Sequence, residues 1–183
     1  MRIPPLSAIL ALYVARDWVL SGWLQFLLVR KMPGTVDSFD DMLIAHTATE
    51  LVLACRCTTD PGRPSREHPK RADGTAVWAA GQVIDGLTVG RHHDSYACLV
   101  PAVPIPVLRY TSLTDDTGEP STSSSTQIHR ASADHESSVV GAWSEGCIVV
   151  ANPDDFDRLI GLVNLASGKG QRRFSVSLTE GEV

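Results

Sequence analysis

A chain of 183 residues is long enough for one domain with a full hydrophobic core and room for a small extension. Hydrophobic residues make up 43% and charged residues 20%, the balance of a globular protein rather than a low-complexity chain. A net charge of −5 argues against a general nucleic-acid binder, and it offers no attraction for an anionic cell wall, so any such substrate must be recognised locally.

Leu6 to Ala15 is an apolar run preceded by Arg2. It resembles a signal-peptide core, but it continues through Arg16 and Asp17 into Trp18-Val19-Leu20 without a small-residue cleavage site, and it is too short to span a bilayer. Leu6, Ile9, Leu10, Tyr13 and Val14 share one helical face. We therefore expect a packed amphipathic helix within an N-terminal segment, residues 1–22, and no stable membrane anchor; a cleaved leader is the alternative. Residues 23–183 form the main domain in this reading.

Gly22 breaks the helical pattern, and Leu24 to Val29 reads as a strand. Pro33-Gly34 marks a turn, Phe39 to His46 is ambiguous, and Leu51 to Cys57 suits a buried strand ending at the loop marker Asp60-Pro61-Gly62. Arg63, Arg66, Lys70 and Arg71 sit among prolines and glycine, the pattern of a solvated loop. Thr75 to Ala80 suggests a brief strand. Val83 to Val89, interrupted by Asp85-Gly86, suggests a hairpin, and Tyr96 to Val100 and Val107 to Tyr110 suggest two more strands. Asp115 to Thr126 is rich in Ser, Thr, Asp and Gly and is expected to be a loop.

Gln127-Ile128-His129 then returns to a strand-like pattern, and Cys147 to Ala151 is a strand. Asn152-Pro153-Asp154-Asp155 is a helix start, with a capping Asn, a Pro in the first turn and two carboxylates at the positive end of the dipole. Phe156, Leu159, Ile160 and Val163 supply its buried face, and Gly168 ends it. Phe174, Val176 and Leu178 alternate as a last strand. The whole indicates a mainly β (α+β) fold with a few helices.

Cys147 follows a glycine and precedes an apolar β-branched run, which places a thiol at the start of a strand. A thiol attacks only as thiolate, and a histidine in reach makes that possible by taking the proton and later returning it to a leaving amine. His129 is the candidate base, and the N–H groups around Gly146 and Cys147 are candidate oxyanion donors. A buried, inert Cys147 beside a surface His129 is the competing reading. Cys55, Cys57 and Cys98 with His92 match no common zinc spacing, so buried thiols are favoured over a metal site.

His129, the fourteen residues Arg130 to Trp143, and then Ser144-Glu145-Gly146-Cys147-Ile148 resemble the signature of the L,D-transpeptidase (YkuD-like) family. That signature is a histidine, a gap of about that length, then Ser/Thr-His-Gly-Cys and an apolar residue. The resemblance covers roughly His129 to Leu178. It maps the family's nucleophile onto Cys147, its histidine onto His129, and its Ser/Thr and glycine onto Ser144 and Gly146. Glu145 stands where the family has histidine, and Val149 where it has Arg or Asn.

The resemblance implies a β-sandwich-like catalytic domain with no metal or organic cofactor. It also implies a thioester acyl-enzyme formed on peptidoglycan stem peptides, usually at meso-diaminopimelate. An amine acceptor would give a cross-link, and water would give carboxypeptidase or endopeptidase activity. Without a convincing leader, a phage lysis enzyme or an injected antibacterial toxin, made in the cytoplasm and acting on the wall after release, is expected ahead of a housekeeping cross-linker; a non-catalytic virion or wall-binding protein is the other class. Arg130 is a candidate for a stem carboxylate, and Trp143 and Glu145 for the pocket wall. His92 and His93 read as solvated loop residues, Tyr96 as core or rim, His135 as an alternative base, and Asp60 and Asp94 as candidates to orient a base.

Overall fold

A computed structural model describes residues 2–181 and 183. In chain order the elements are helix α1 (Leu6–Ala15), strands β1 (Gln25–Arg30), β2 (Asp41–His46) and β3 (Leu51–Thr58), helix α2 (Arg63–Glu67), and strands β4 (Thr75–Trp78), β5 (Gly81–His92), β6 (Tyr96–Pro101), β7 (Ile105–Tyr110), β8 (Glu119–Ser123) and β9 (Ile128–Arg130). A 3-10 turn, Gly141–Trp143, leads to β10 (Ile148–Val150), α3 (Pro153–Gly168) and β11 (Phe174–Glu180). The fold is mainly β, as expected. The larger sheet closes on itself in the order β1-β11-β5-β6-β9-β10-β3-β2, and β4-β7-β8 form a second sheet. Closure leaves no free edge on the larger sheet, which disposes of unpaired backbone groups without covering loops.

Phe26, Leu28, Leu43, Leu53, Leu99, Ile128, Ile148, Phe174 and Val176 belong to the main core, joined by Phe156, Leu159, Val163 and Ala166 from α3. Asn152 caps α3 as the sequence indicates: its side-chain oxygen accepts from the Asp154 N–H at 2.9 Å. This helix is what presses β10, the strand after Cys147, into the core.

Four local expectations change. Arg63–Glu67, expected to be part of a solvated loop, is the short helix α2, with Pro64 in its first turn. Val83 to Val89 is no hairpin but part of the twelve-residue β5. Asp85 takes a left-handed φ of 52°, and its N–H donates to Ser175 Oγ at 2.9 Å and not to a turn carbonyl. The pairing with β11 shifts register there, so the Asp-Gly is a bulge that bends a long strand around the barrel. Glu119–Ser123, expected to be loop, pairs with β7 as an edge strand whose side chains are mostly exposed, which is why it has no apolar alternation to read. The buried face of α1 is narrower than expected: Ile9 and Tyr13 pack on Leu27, Val29, Met42 and Ile44, while Val14 is 79% exposed. Among the described residues, no helix is long and apolar enough to cross a membrane.

Candidate active site

Strands β9 and β10 run parallel, with Ile148 opposite Ile128 and Val149 opposite His129. Side chains two apart on a strand share a face. Cys147 and Val149 on one strand line, and Gln127 and His129 on the other, therefore project to the same side. Cys147 and His129 both open into one cleft of about 670 Å³, a size suited to a single medium-sized ligand.

The sulfur is held in place by backbone. The Gln127 N–H donates to Cys147 Sγ at 3.3 Å. Of the four cysteines, all free thiols, Cys147 alone is not buried. Close packing nevertheless pushes its thiol up to about 11; the Gln127 N–H opposes that rise and the Glu145 carboxylate adds to it. His129 is pulled down to about 4, chiefly by burial, with an opposing contribution from its bond to Arg130 and a further lowering from His92 and His93. The resting pair is thus neutral thiol and neutral imidazole.

The tautomer follows from geometry. His129 Nδ1 lies 2.7 Å from the Arg130 carbonyl, which can only accept, so Nδ1 carries the hydrogen and Nε2 keeps the lone pair. The same carbonyl accepts from Tyr96 Oη at 3.4 Å, and this backbone acceptor takes the orienting role for which Asp60 and Asp94 were candidates. Neither aspartate lines the cleft. His92 stacks on His129 with ring centres 4.1 Å apart, and its Nδ1 donates to Gln127 Oε1 at 2.7 Å. His92 therefore belongs to the cleft wall and not to a solvated loop, whereas His93 lies in the exposed turn after β5, as expected, at the rim of the same cleft. His135 is exposed and bonded to Ser132 Oγ, away from the cleft.

The turn before the nucleophile is built by Ser144 and Gly146. Ser144 is fully buried; its Oγ donates to the Cys147 carbonyl at 2.7 Å and accepts from the Gly146 N–H at 3.2 Å. Ser144 thus braces the turn and does not reach the cleft, and the Gly146 N–H is spent on that brace and not on an oxyanion. The Cys147 N–H makes no hydrogen bond among the described residues and is the donor left for one. Gly146 has φ 126°, and a Cβ there would come within 2.7 Å of the Ala76 carbonyl oxygen, so only glycine fits.

No protein-family model matches this chain, and no curated protein matches it. Trp143, 46% exposed, and Glu145 line the cleft, with Glu145 ion-paired to Lys70. Arg130 does not line it: its guanidinium lies over the Tyr96 ring, 4.0 Å from the centre. Val149 is buried with Phe39, Ala131, Val140 and Ala151. Cys55, Cys57 and Cys98 are buried, and no three metal-ligating side chains gather among the described residues.

Lys70 and Arg71, read from the sequence as part of a solvated loop, line the cleft from the loop after α2. Arg109, which had no sequence signal, reaches it from β7, in a different sheet from the nucleophile's. Asp37 joins the loops on either side: its Oδ1 accepts from the Gly141 N–H at 2.7 Å and the Arg63 N–H at 3.1 Å. An aspartate in a turn, with no motif around it, gives no hint of contacts twenty-six and one hundred and four positions away.

Proposed function

We propose that this protein is a cysteine acyl-transfer enzyme acting on peptidoglycan stem peptides, with water as the main acceptor. The observation that carries the reading is that Cys147 and His129 share one face of two parallel strands and open into one cleft, with the His129 lone pair left on Nε2.

The chemistry then runs without a cofactor. As Cys147 Sγ bonds to the substrate carbonyl carbon, its proton passes to His129 Nε2, and the carbonyl oxygen becomes an oxyanion facing the Cys147 N–H. His129 returns the proton to the leaving amine as the amide C–N bond breaks, leaving a thioester. Water then attacks the thioester carbonyl and gives a proton to His129, and the thiol leaves and is reprotonated by the same imidazole. A thiol held near 11 and an imidazole near 4 make a preformed ion pair costly, so proton transfer accompanies attack.

A cleft of this size suits one stem peptide, whereas a cross-linker must hold a donor and an acceptor. On that ground we rank hydrolysis ahead of transpeptidation. In this reading the protein acts on the wall after release or injection, as a phage lysin or an antibacterial toxin. Mass spectrometry of muropeptides from purified sacculi tests it: shortened stems appear with the native protein and vanish with Cys147→Ala and with His129→Ala. Dimers in place of shortened stems would make it a cross-linker. Unaltered release by either variant would end the enzymatic reading and favour a non-catalytic wall-binding protein.

A further inference from the structure

The cleft is cationic although the protein carries a net charge of −5. Lys70, Arg71 and Arg109 line it, and two carboxylates answer them. Glu145 pairs with Lys70, and Asp73 is gripped by Arg71 through Nε at 2.7 Å and Nη2 at 2.9 Å. Asp73 is 3.9 Å from Arg109 Nε, too far for a hydrogen bond. Three cations share two carboxylates, so one positive charge is in excess, and the most weakly paired of the three is the buried one: Arg109 is 9% exposed.

Arg109 is also under-used. A guanidinium has five N–H donors, and among the described residues this one makes a single hydrogen bond, from Nη1 to the Gly74 carbonyl at 3.2 Å. Its Nε is buried without a partner, as is Thr126 Oγ1 on the same cleft. Buried polar groups are nearly always satisfied, so two orphans lining one cleft point to a polar group that arrives from outside. Position agrees: Arg109 pairs across β4 and β7 with Ala76, and the Ala76 carbonyl abuts Gly146, the residue before the nucleophile. Directly opposed residues share a face, so Arg109 and Ala76 point toward the Cys147 turn.

We propose that Arg109 forms a carboxylate-binding subsite next to Cys147, so that the preferred ligand is a peptide bearing a free carboxylate close to the attacked carbonyl. Arg suits that ligand because its planar fork accepts a carboxylate through two parallel bonds. The peptide's identity as a wall stem rests on the preceding section; the carboxylate subsite does not.

Binding to the Cys147→Ala protein separates the two claims. The probes are a synthetic stem tetrapeptide with all carboxylates free and copies amidated at one carboxylate at a time, titrated by calorimetry. One amidation is expected to weaken binding tenfold or more, and adding Arg109→Gln should bring free and amidated peptides to within twofold of each other, while Arg109→Lys keeps part of the discrimination. Asp73→Asn, at an exposed position that leaves the core alone, should tighten the free acid severalfold without affecting the amidated form.

Equal binding of all probes, no binding at millimolar peptide, discrimination that survives Arg109→Gln, or no response to Asp73→Asn each overturns the subsite. Arg109-dependent discrimination in a protein that releases nothing from sacculi would keep the subsite and remove the enzyme; release from sacculi without discrimination would do the reverse.

Discussion

The backbone N–H of Gln127 donates to the sulfur of Cys147 across two parallel strands, at 3.3 Å. A main-chain donor cannot swing away, so the nucleophile is positioned by the sheet itself. It also favours the thiolate, yet the loss of solvent around the half-buried sulfur outweighs it and the thiol stays up at about 11. At neutral pH the thiol therefore rests in its protonated form.

Alkylation should therefore be slow at pH 7 and accelerate steadily toward pH 11, the opposite of the depressed profile that a preformed thiolate would give. Cys147 should still be labelled first, because Cys55 is pushed up to about 12, Cys57 is raised well above an ordinary thiol by complete burial, and Cys98 is both buried and raised. Peptide mapping after timed iodoacetamide treatment reads both the order and the pH profile. A plateau below pH 8.5 would contradict this account of the site.

The pH dependence of turnover follows from His129. A base must be neutral, and burial keeps His129 neutral down to about 4. The acid limb of kcat/KM on sacculi or stem peptide should lie near pH 4, not near 6.5. An acid limb at 6.5 would show a solvated base and would rule out the buried imidazole.

Acid should also unfold the protein. His129 is depressed in the folded chain, so between about 4 and 6.5 the unfolded chain binds more protons and stability rises with pH. Its contribution is fully present above 6.5 and is lost as pH falls toward 4, amounting to about 3 kcal/mol. His46, also lowered by burial, acts in the same direction. Thermal melts from pH 7 to pH 4 should show a falling Tm, with a shallower fall in His129→Gln. An unchanged slope in that variant would contradict the depressed imidazole.

Gly146→Ala should lose both stability and turnover. The φ of 126° costs a side chain about 1–3 kcal/mol, and the added Cβ meets the Ala76 carbonyl at 2.7 Å, forcing the Cys147 turn off the second sheet. Asn152→Ala is the contrasting control: losing the cap bond to Asp154 should cost about 1 kcal/mol while kcat is unchanged. Denaturant melts and stem-peptide turnover measured on both variants separate a site effect from a folding effect. Equal kcat in Gly146→Ala and native protein would remove the turn from the mechanism.

Much of this was legible because it is local. The α3 cap at Asn152, its apolar stripe and the Phe174-Val176-Leu178 alternation are written within one turn or one strand, and they appear as read. Asp85-Gly86 misled because the same dipeptide serves a hairpin turn and a bulge, and only the partner strand β11 decides between them. Glu119–Ser123 was hidden because an edge strand with mostly solvent-facing side chains needs no apolar pattern.

At the site, spacing and residue type singled out Cys147 and His129, because a thiol and an imidazole are rare enough to notice. Their shared face, the neutral state of both groups and the choice of Nε2 as acceptor depend on burial and on the Arg130 carbonyl, neither of which a one-dimensional reading contains. Arg130 drew attention as a neighbour in the chain yet turns away onto Tyr96, while Arg109, thirty-eight positions before Cys147, arrives on another sheet. The sequence by itself determined the elements and the reactive side chains, since those depend on residues in contact along the chain; tertiary structure alone decided which charges surround the sulfur, since that depends on how two separate sheets meet.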